Sequence, residues 1–180
     1  QVQSWFHDSM SWIQTYTGRR FDPLDAALEE VDIADIAHSL SLQCRFNGHC
    51  RGFYCVADHA LRVSEAVPPD LALWGLLHDA AEAYLGDLPR PIKQEARLFR
   101  EAEDRLLAVI ARRFGLSWPM PEAVQRADEA LLATELRDLM GPPPEPWALR
   151  EPPLPGRIVP LGPAEAEEAF LARYRLLTHR

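Results

Sequence analysis

No run in the sequence approaches the roughly 18 consecutive apolar residues that a membrane-spanning helix needs, and no basic segment followed by an apolar one opens it. These two lacks predict a protein with neither a membrane span nor a secretory address, so the default expectation is the cytoplasm. Positive charge is also in deficit: 19 Lys and Arg stand against 27 Asp and Glu, for a formal charge of −8 and a sequence pI of about 5.2. That balance excludes the broad basic surface that a nucleic acid polymer requires, and an anionic small substrate would need a local basic pocket. Cysteine is scarce. Cys44, Cys50 and Cys55 are an odd number crowded into one stretch, which predicts free thiols rather than a disulfide framework. Their spacing, even with His49 among them, does not match the paired Cys-x-x-Cys of structural zinc sites. Internal repeats are absent and β-signals are few.

What is present is enough apolar residue, 47% of 180, for one hydrophobic core and one domain. Residues 10–30 mix Trp12, Tyr16, Gly18, Phe21 and Pro23 without a helical period, and with Trp5 and Phe6 they read as an irregular N-terminal arm. Met10 is a candidate natural start, which leaves residues 1–9 unassigned. From there the pattern is helical. Asp32 is placed to cap a helix carrying Ile33, Ile36, Ala37 and Leu40, and Val56, His59, Ala60, Val63 and Val67 make the stripe of a second. A third, capped by Asp70 and stopped by Gly86, is expected to run unbroken through Trp74, Leu77, Ala80 and Tyr84. One long helix after Pro91 reaches about Phe114, with Phe99, Leu106, Leu107 and Ile110 inward, and another spans about 122–140 with Val124, Asp128, Leu131 and Glu135 on one side. Residues 141–163 hold nine of the sixteen prolines and predict an extended strap, followed by a terminal helix over about 164–178. The class expected is all-α, a single domain with its core at 30–140.

The informative anomaly is His78-Asp79, set inside Leu73-Trp74-Gly75-Leu76-Leu77 and Ala80-Ala81. A buried carboxylate without a partner costs several kcal/mol or takes up a proton. His59 and Asp128 are likewise polar residues on apolar stripes. Each alone has a plain explanation, since a core histidine is commonly just hydrogen-bonded and a buried Asp commonly pairs with Arg or caps a helix. Together, two imidazoles and two carboxylates are a donor set suited to one divalent Mn, Fe, Co, Ni or Zn.

The order His59, His78-Asp79, Asp128 resembles the H…HD…D signature of the HD superfamily of metal-dependent phosphohydrolases. Val56-Ala57-Asp58-His59, the run from His78 through Ala80-Ala81-Glu82 to Gly86-Asp87-Leu88-Pro89, then Pro91, Lys93 and Arg126-Ala127-Asp128 are similar to the subgroup of bacterial 5′-deoxynucleotidases and phage-type deoxynucleoside triphosphohydrolases. The likeness covers roughly residues 30–140. It implies an all-α HD-domain bundle in which His59, His78, Asp79 and Asp128 hold one divalent metal, whose chemistry suits hydrolysis without a nucleophilic side chain. It further implies Glu82 as general acid/base, Asp87 as an assisting or sugar-holding group, and Arg45 and Lys93 as phosphate donors, with Phe46 against sugar or base. Phe46 stands where the deoxynucleotidase pattern has Trp.

The function expected is metal-dependent release of phosphate from a nucleotide, foremost a deoxyribonucleoside 5′-mono- or triphosphate, by a homo-oligomer. A non-catalytic metal-containing binding module and a hydrolase of a non-nucleotide phosphoester are the alternatives. Hydrolysis of an alarmone or cyclic nucleotide fits less well, because Ala81-Glu82 does not resemble the alarmone hydrolases' Glu-Asp motif and the extra histidines of a two-metal site are missing. His49 also precedes the HD pair, but it follows a Gly turn, so His59 is preferred as the first ligand. His38 is expected to be structural.

Overall fold

The computed structural model describes residues 11–179. Trp5, Phe6 and Met10, part of the expected arm and the candidate start, lie outside them. The fold is all-α, with one small sheet. Within the arm, Ile13–Gln14 (β1) and Arg20–Phe21 (β2) pair antiparallel, Ile13 opposite Phe21. Gly18, at φ 82, supplies the left-handed residue this turn needs. The Thr17 backbone N–H and hydroxyl both donate to the buried Asp35 carboxylate, at 2.7 and 3.0 Å. Phe21 is thereby seated in the core, stacked on Tyr84.

Helix α1 (Ile33–Leu42) starts where Asp32 accepts the Ala34 N–H at 2.9 Å, as its sequence position suggests. Helix α2 (Val56–Ala66) is the centre of the molecule, packed against α1, α3, α7 and α8. It ends at Val67-Pro68-Pro69, because proline offers no N–H to continue it. A 3-10 turn at Pro69–Leu71 then leads into α3 (Ala72–Leu77). Asp70 is exposed and does not cap this helix, which begins after Leu71 with no side-chain cap.

The unbroken helix expected over 70–84 is interrupted at its polar pair. Helix α3 stops at Leu77 and α4 (Glu82–Leu85) follows. Across the gap the bonds tighten to i→i−3, as in Ala80 N–H to the Leu77 carbonyl and Glu82 N–H to the Asp79 carbonyl, both 3.0 Å. The cause is local: His78 Nδ1 bonds the Gly75 carbonyl at 2.8 Å, engaging the acceptor that a continuing helix would offer to residue 79.

The long helix expected after Pro91 is likewise divided, into α5 (Arg90–Glu95) and α6 (Arg97–Arg113). Arg100 caps the end of α5, donating to the Lys93 carbonyl at 2.7 Å and to that of Gln94. Helix α7 (Glu122–Leu139) and helix α8 (Pro163–Thr178) match their expected extents closely. Helix α8 packs on α1, α2 and α3, burying Ala166 and Phe170 in the common core. The strap between α7 and α8 is pinned by side chains beneath it. Leu154 N–H reaches Thr134 Oγ1 at 2.7 Å, and those of Ile158 and Leu161 reach Asp138 and Asp58, each at 2.9 Å.

Helices α2 and α3 approach each other closely at Gly75. A Cβ on Gly75 would stand 2.8 Å from Ser64 Cα and 2.9 Å from Ser64 N. Glycine there brings the helix carrying His59 against the helix that ends on His78.

Candidate metal centre

Three elements converge on one point: α2 brings His59, the break after α3 brings His78 and Asp79, and α7 brings Asp128. His59 Nε2 lies 3.2 Å from His78 Nε2 and 3.1 Å from Asp128 Oδ1. His59, His78 and Asp128 form a group that could hold a metal ion. Asp79 Oδ2 is beside them, 3.1 Å from His78 Nε2 and 3.6 Å from His59 Nε2.

The protonation pattern fits a cation. His78 Nδ1 faces a carbonyl, which only accepts, so that nitrogen carries the hydrogen. His59 Nδ1 faces Glu135 Oε1 at 2.6 Å, and Glu135 stays ionised because Arg45 and His59 outweigh its burial. Both neutral imidazoles therefore point an Nε2 lone pair at the other and at two carboxylates. Such a convergence of acceptors is unfavourable unless a proton or a metal ion lies among them. Without metal a proton serves: burial and the Arg45 charge depress the His59 pKa, but Glu135 and Asp128 lift it to about 10. Burial raises Asp79 and Asp128, but the neighbouring imidazoles prevail and hold both below the usual carboxylate range.

Glu135 is the residue that sequence reading left without a role. Fully buried, it binds His59 with one oxygen and Arg45 Nη2, at 3.0 Å, with the other. Such an outer carboxylate fixes the tautomer and ring orientation of a ligand histidine. Its signal was available, for it lies on the apolar side of α7 two turns beyond Asp128.

The remaining expected residues surround one cavity of about 720 Å³. Arg45, Phe46, Asp79, Glu82, Asp87, Lys93 and Asp128 all line it. Phe46 and Asn47 hold left-handed backbone, at φ 53 and 51, which is costly for a bulky side chain and is found where structure is spent on a site. The Arg45 guanidinium lies over the Phe46 ring, 5.5 Å from its centre. Arg45 also reaches Asp79 at 3.7 Å, and its Nε is buried with no hydrogen-bond partner.

Glu82 is buried, and Oε2 has no hydrogen-bond partner. Burial, then the charges of Asp79 and Asp87, push its pKa well above the ordinary carboxylate value, against the pull of Lys93 and Arg45. Burial also raises Asp87, whose N–H bonds Gln43 Oε1 at 3.2 Å, while Gln43 Nε2 donates to the Glu82 carbonyl at 3.0 Å. Lys93, the single lysine of the chain, sits 3.3 Å from Glu82 Oε1 and 2.7 Å from Glu103, its closer ionic partner. Glu103 was not anticipated either.

The histidines set aside behave as expected in part. His49 is exposed at the cavity rim, away from the cluster. His38 stacks on Tyr16 and meets Glu167 at 3.0 Å, a structural role. The three cysteines are free, and burial pushes the Cys55 thiol up to about 11, which leaves it unreactive. Among the described residues no helix is long and apolar enough to cross a membrane.

Fold and site together define an all-α protein with a candidate His/His/Asp metal centre beside a cavity that Asp128 lines. No family model matches the chain. It is 38% identical over 173 residues to the uncharacterized protein YfdR of Escherichia coli (strain K12), covering 94% of this chain and 97% of that protein. It is 35% identical over 191 aligned positions to the uncharacterized protein RCAP_rcc00048 of Rhodobacter capsulatus, covering 93% and 95%. The chain belongs to the YfdR family. Neither relative's name carries an activity, so the functional reading rests on the site.

Proposed function

We propose that this protein is a divalent-metal-dependent phosphohydrolase acting on a nucleotide, foremost a deoxyribonucleoside 5′-mono- or triphosphate. The observation that carries the reading is the convergence of His59, His78, Asp79 and Asp128, with Asp79 and Asp128 opening onto a cavity that the buried Glu82 also lines. His59, His78 and Asp128, with Asp79 as fourth ligand, would hold the ion, and the donor set suits Mn, Fe, Co, Ni or Zn. When bound, such an ion lowers the pKa of water and offsets charge on phosphoryl oxygens.

The chain's own residues supply the rest. Arg45, Arg90 and Lys93 are the Lys and Arg residues lining this cavity, and Arg45 and Lys93 are the phosphate donors proposed. Hydrolysis forms one P–O bond from water and breaks one to the leaving oxygen. The raised pKa favours the protonated form of Glu82, which in the acid role would give its proton to the leaving oxygen and, once ionised, would take one from the attacking water. Asp87, fastened through Gln43 to the backbone of Glu82, stands where a sugar hydroxyl can be received. A homo-oligomer is the assembly proposed with this activity.

Asp79→Ala tests the assignment. Loss of both metal content and turnover is expected, and full activity of the variant on every substrate tested would refute it. Stoichiometric metal with tight nucleotide binding and no turnover would favour a binding module instead.

A further inference from the structure

The cavity has an apolar side that neither the metal cluster nor a phosphate grip uses. Leu88 and Pro89 line it from the turn after α4, Pro91 from α5, Leu132 from α7, Met140 from just beyond the end of α7, and Trp147 from the strap. Its volume, about 720 Å³, lies within the range of sites that enclose a whole small molecule rather than one phosphate.

Trp147 has no evident structural duty. The strap's hydrogen bonds to the body begin at Arg150, whose N–H meets Glu129 Oε1 at 3.2 Å, and continue through Leu154, Ile158 and Leu161. Before that point, among the described residues, the strap's one hydrogen bond is its own turn, from Leu149 N–H to the Trp147 carbonyl at 3.0 Å. Trp147 is 54% exposed, although a large aromatic ring is ordinarily placed where it can be covered. Four prolines, Pro142, Pro143, Pro144 and Pro146, stiffen the approach to it and so lower the entropy lost if it is held against a ligand. Phe46, fixed in its left-handed backbone, lines the same cavity.

We infer that Trp147 is the base-contacting residue of this site: the proline-rich strap holds an indole over the cavity, where it stacks on the planar base of the nucleotide. The inference rests on the nucleotide reading and adds to it a base-binding element outside the motif-bearing core. A stacking contact is indifferent to phosphate and metal, and its loss weakens base binding by about tenfold.

The test compares the parent with Trp147→Ala and Trp147→Phe, using the nucleotide on which the parent is most active. The released nucleoside, which carries the base, and the released phosphate or tripolyphosphate, which does not, serve as competing inhibitors. In Trp147→Ala, KM and the inhibition constant of the nucleoside should both rise about tenfold. At the same time kcat and the inhibition constant of the base-free product should stay unchanged, and Trp147→Phe should restore most of the loss. If KM and both inhibition constants are unmoved, or all rise together, the inference is overturned while the nucleotide reading stands. If the parent releases neither phosphate nor tripolyphosphate from any nucleotide with any metal, both fall together.

Discussion

Replacing Glu135 by Gln keeps size and shape but removes one acceptor. In the native protein two donors, His59 Nδ1–H and Arg45 Nη2–H, meet the two oxygens of one buried carboxylate, at 2.6 and 3.0 Å. An amide has a single oxygen, so whichever way it turns, one of those donors faces an NH2 group. If the amide oxygen keeps His59, the bond falls from the roughly 1.5–3 kcal/mol of a charged partner to about 1 kcal/mol, and Arg45 loses its buried counter-ion. If it keeps Arg45, the His59 ring is no longer held in the tautomer that presents Nε2. Either way about 2 kcal/mol of support for the ligand geometry is lost, or about 30-fold in metal affinity, within the roughly 10- to 100-fold cost of removing a carboxylate behind a ligand histidine. Competition with a chelating dye for Co or Mn would measure it. Asp138→Asn, on the same helix but holding the strap, serves as a control and should leave the affinity unchanged. A Glu135→Gln variant that folds normally and binds metal within threefold of the parent would refute the role given to Glu135.

Other outcomes follow from the same geometry. Gly75→Ala would force a Cβ against the Ser64 backbone and to 3.0 Å from the Val63 carbonyl. Overpacking of about 1–3 kcal/mol exceeds the helix propensity regained, about 1 kcal/mol, so the melting temperature should drop by about 5 °C; an unchanged or raised value would contradict the packing described. Metal affinity should rise with pH by up to about tenfold per unit below about pH 10, because the ion must displace the proton held on His59. A flat affinity between about pH 6 and 9 would contradict that proton's existence. In the metal-free protein the same group stabilises the fold fully below its unfolded pKa of about 6.5. That contribution fades as pH rises through about 10, so urea denaturation of the stripped protein should need less urea at about pH 10 than at about pH 6.

Much of this architecture was legible because helix periodicity and capping are local signals. Asp32, Pro68-Pro69 and the proline run after Leu139 mark boundaries that the structure keeps closely. The legible part of the site was its anomaly: polar residues on apolar stripes at 59, 78, 79 and 128 come together in space. What sequence reading missed has a common cause. Periodicity saw one helix where the His78 side chain takes a backbone acceptor, and one helix where Arg100 caps another's end. Glu135 acts through Arg45, distant in sequence, and Glu103 through Lys93 across the break between α5 and α6, and no spacing rule joins either pair. The hairpin at 13–21 is two residues per strand, too short for an alternation pattern, and is held by the long-range Thr17–Asp35 contact.

The central claim is tested most directly by release of phosphate or tripolyphosphate from a panel of ribo- and deoxyribonucleoside mono-, di- and triphosphates, with metal-stripped protein resupplied in turn with Mn, Co, Mg, Zn and Ni. The account predicts no release without metal and, with a suitable transition metal, turnover strongest on a deoxyribonucleoside 5′-phosphate. No turnover of any nucleotide with any metal, in protein that holds the metal stoichiometrically, would contradict it.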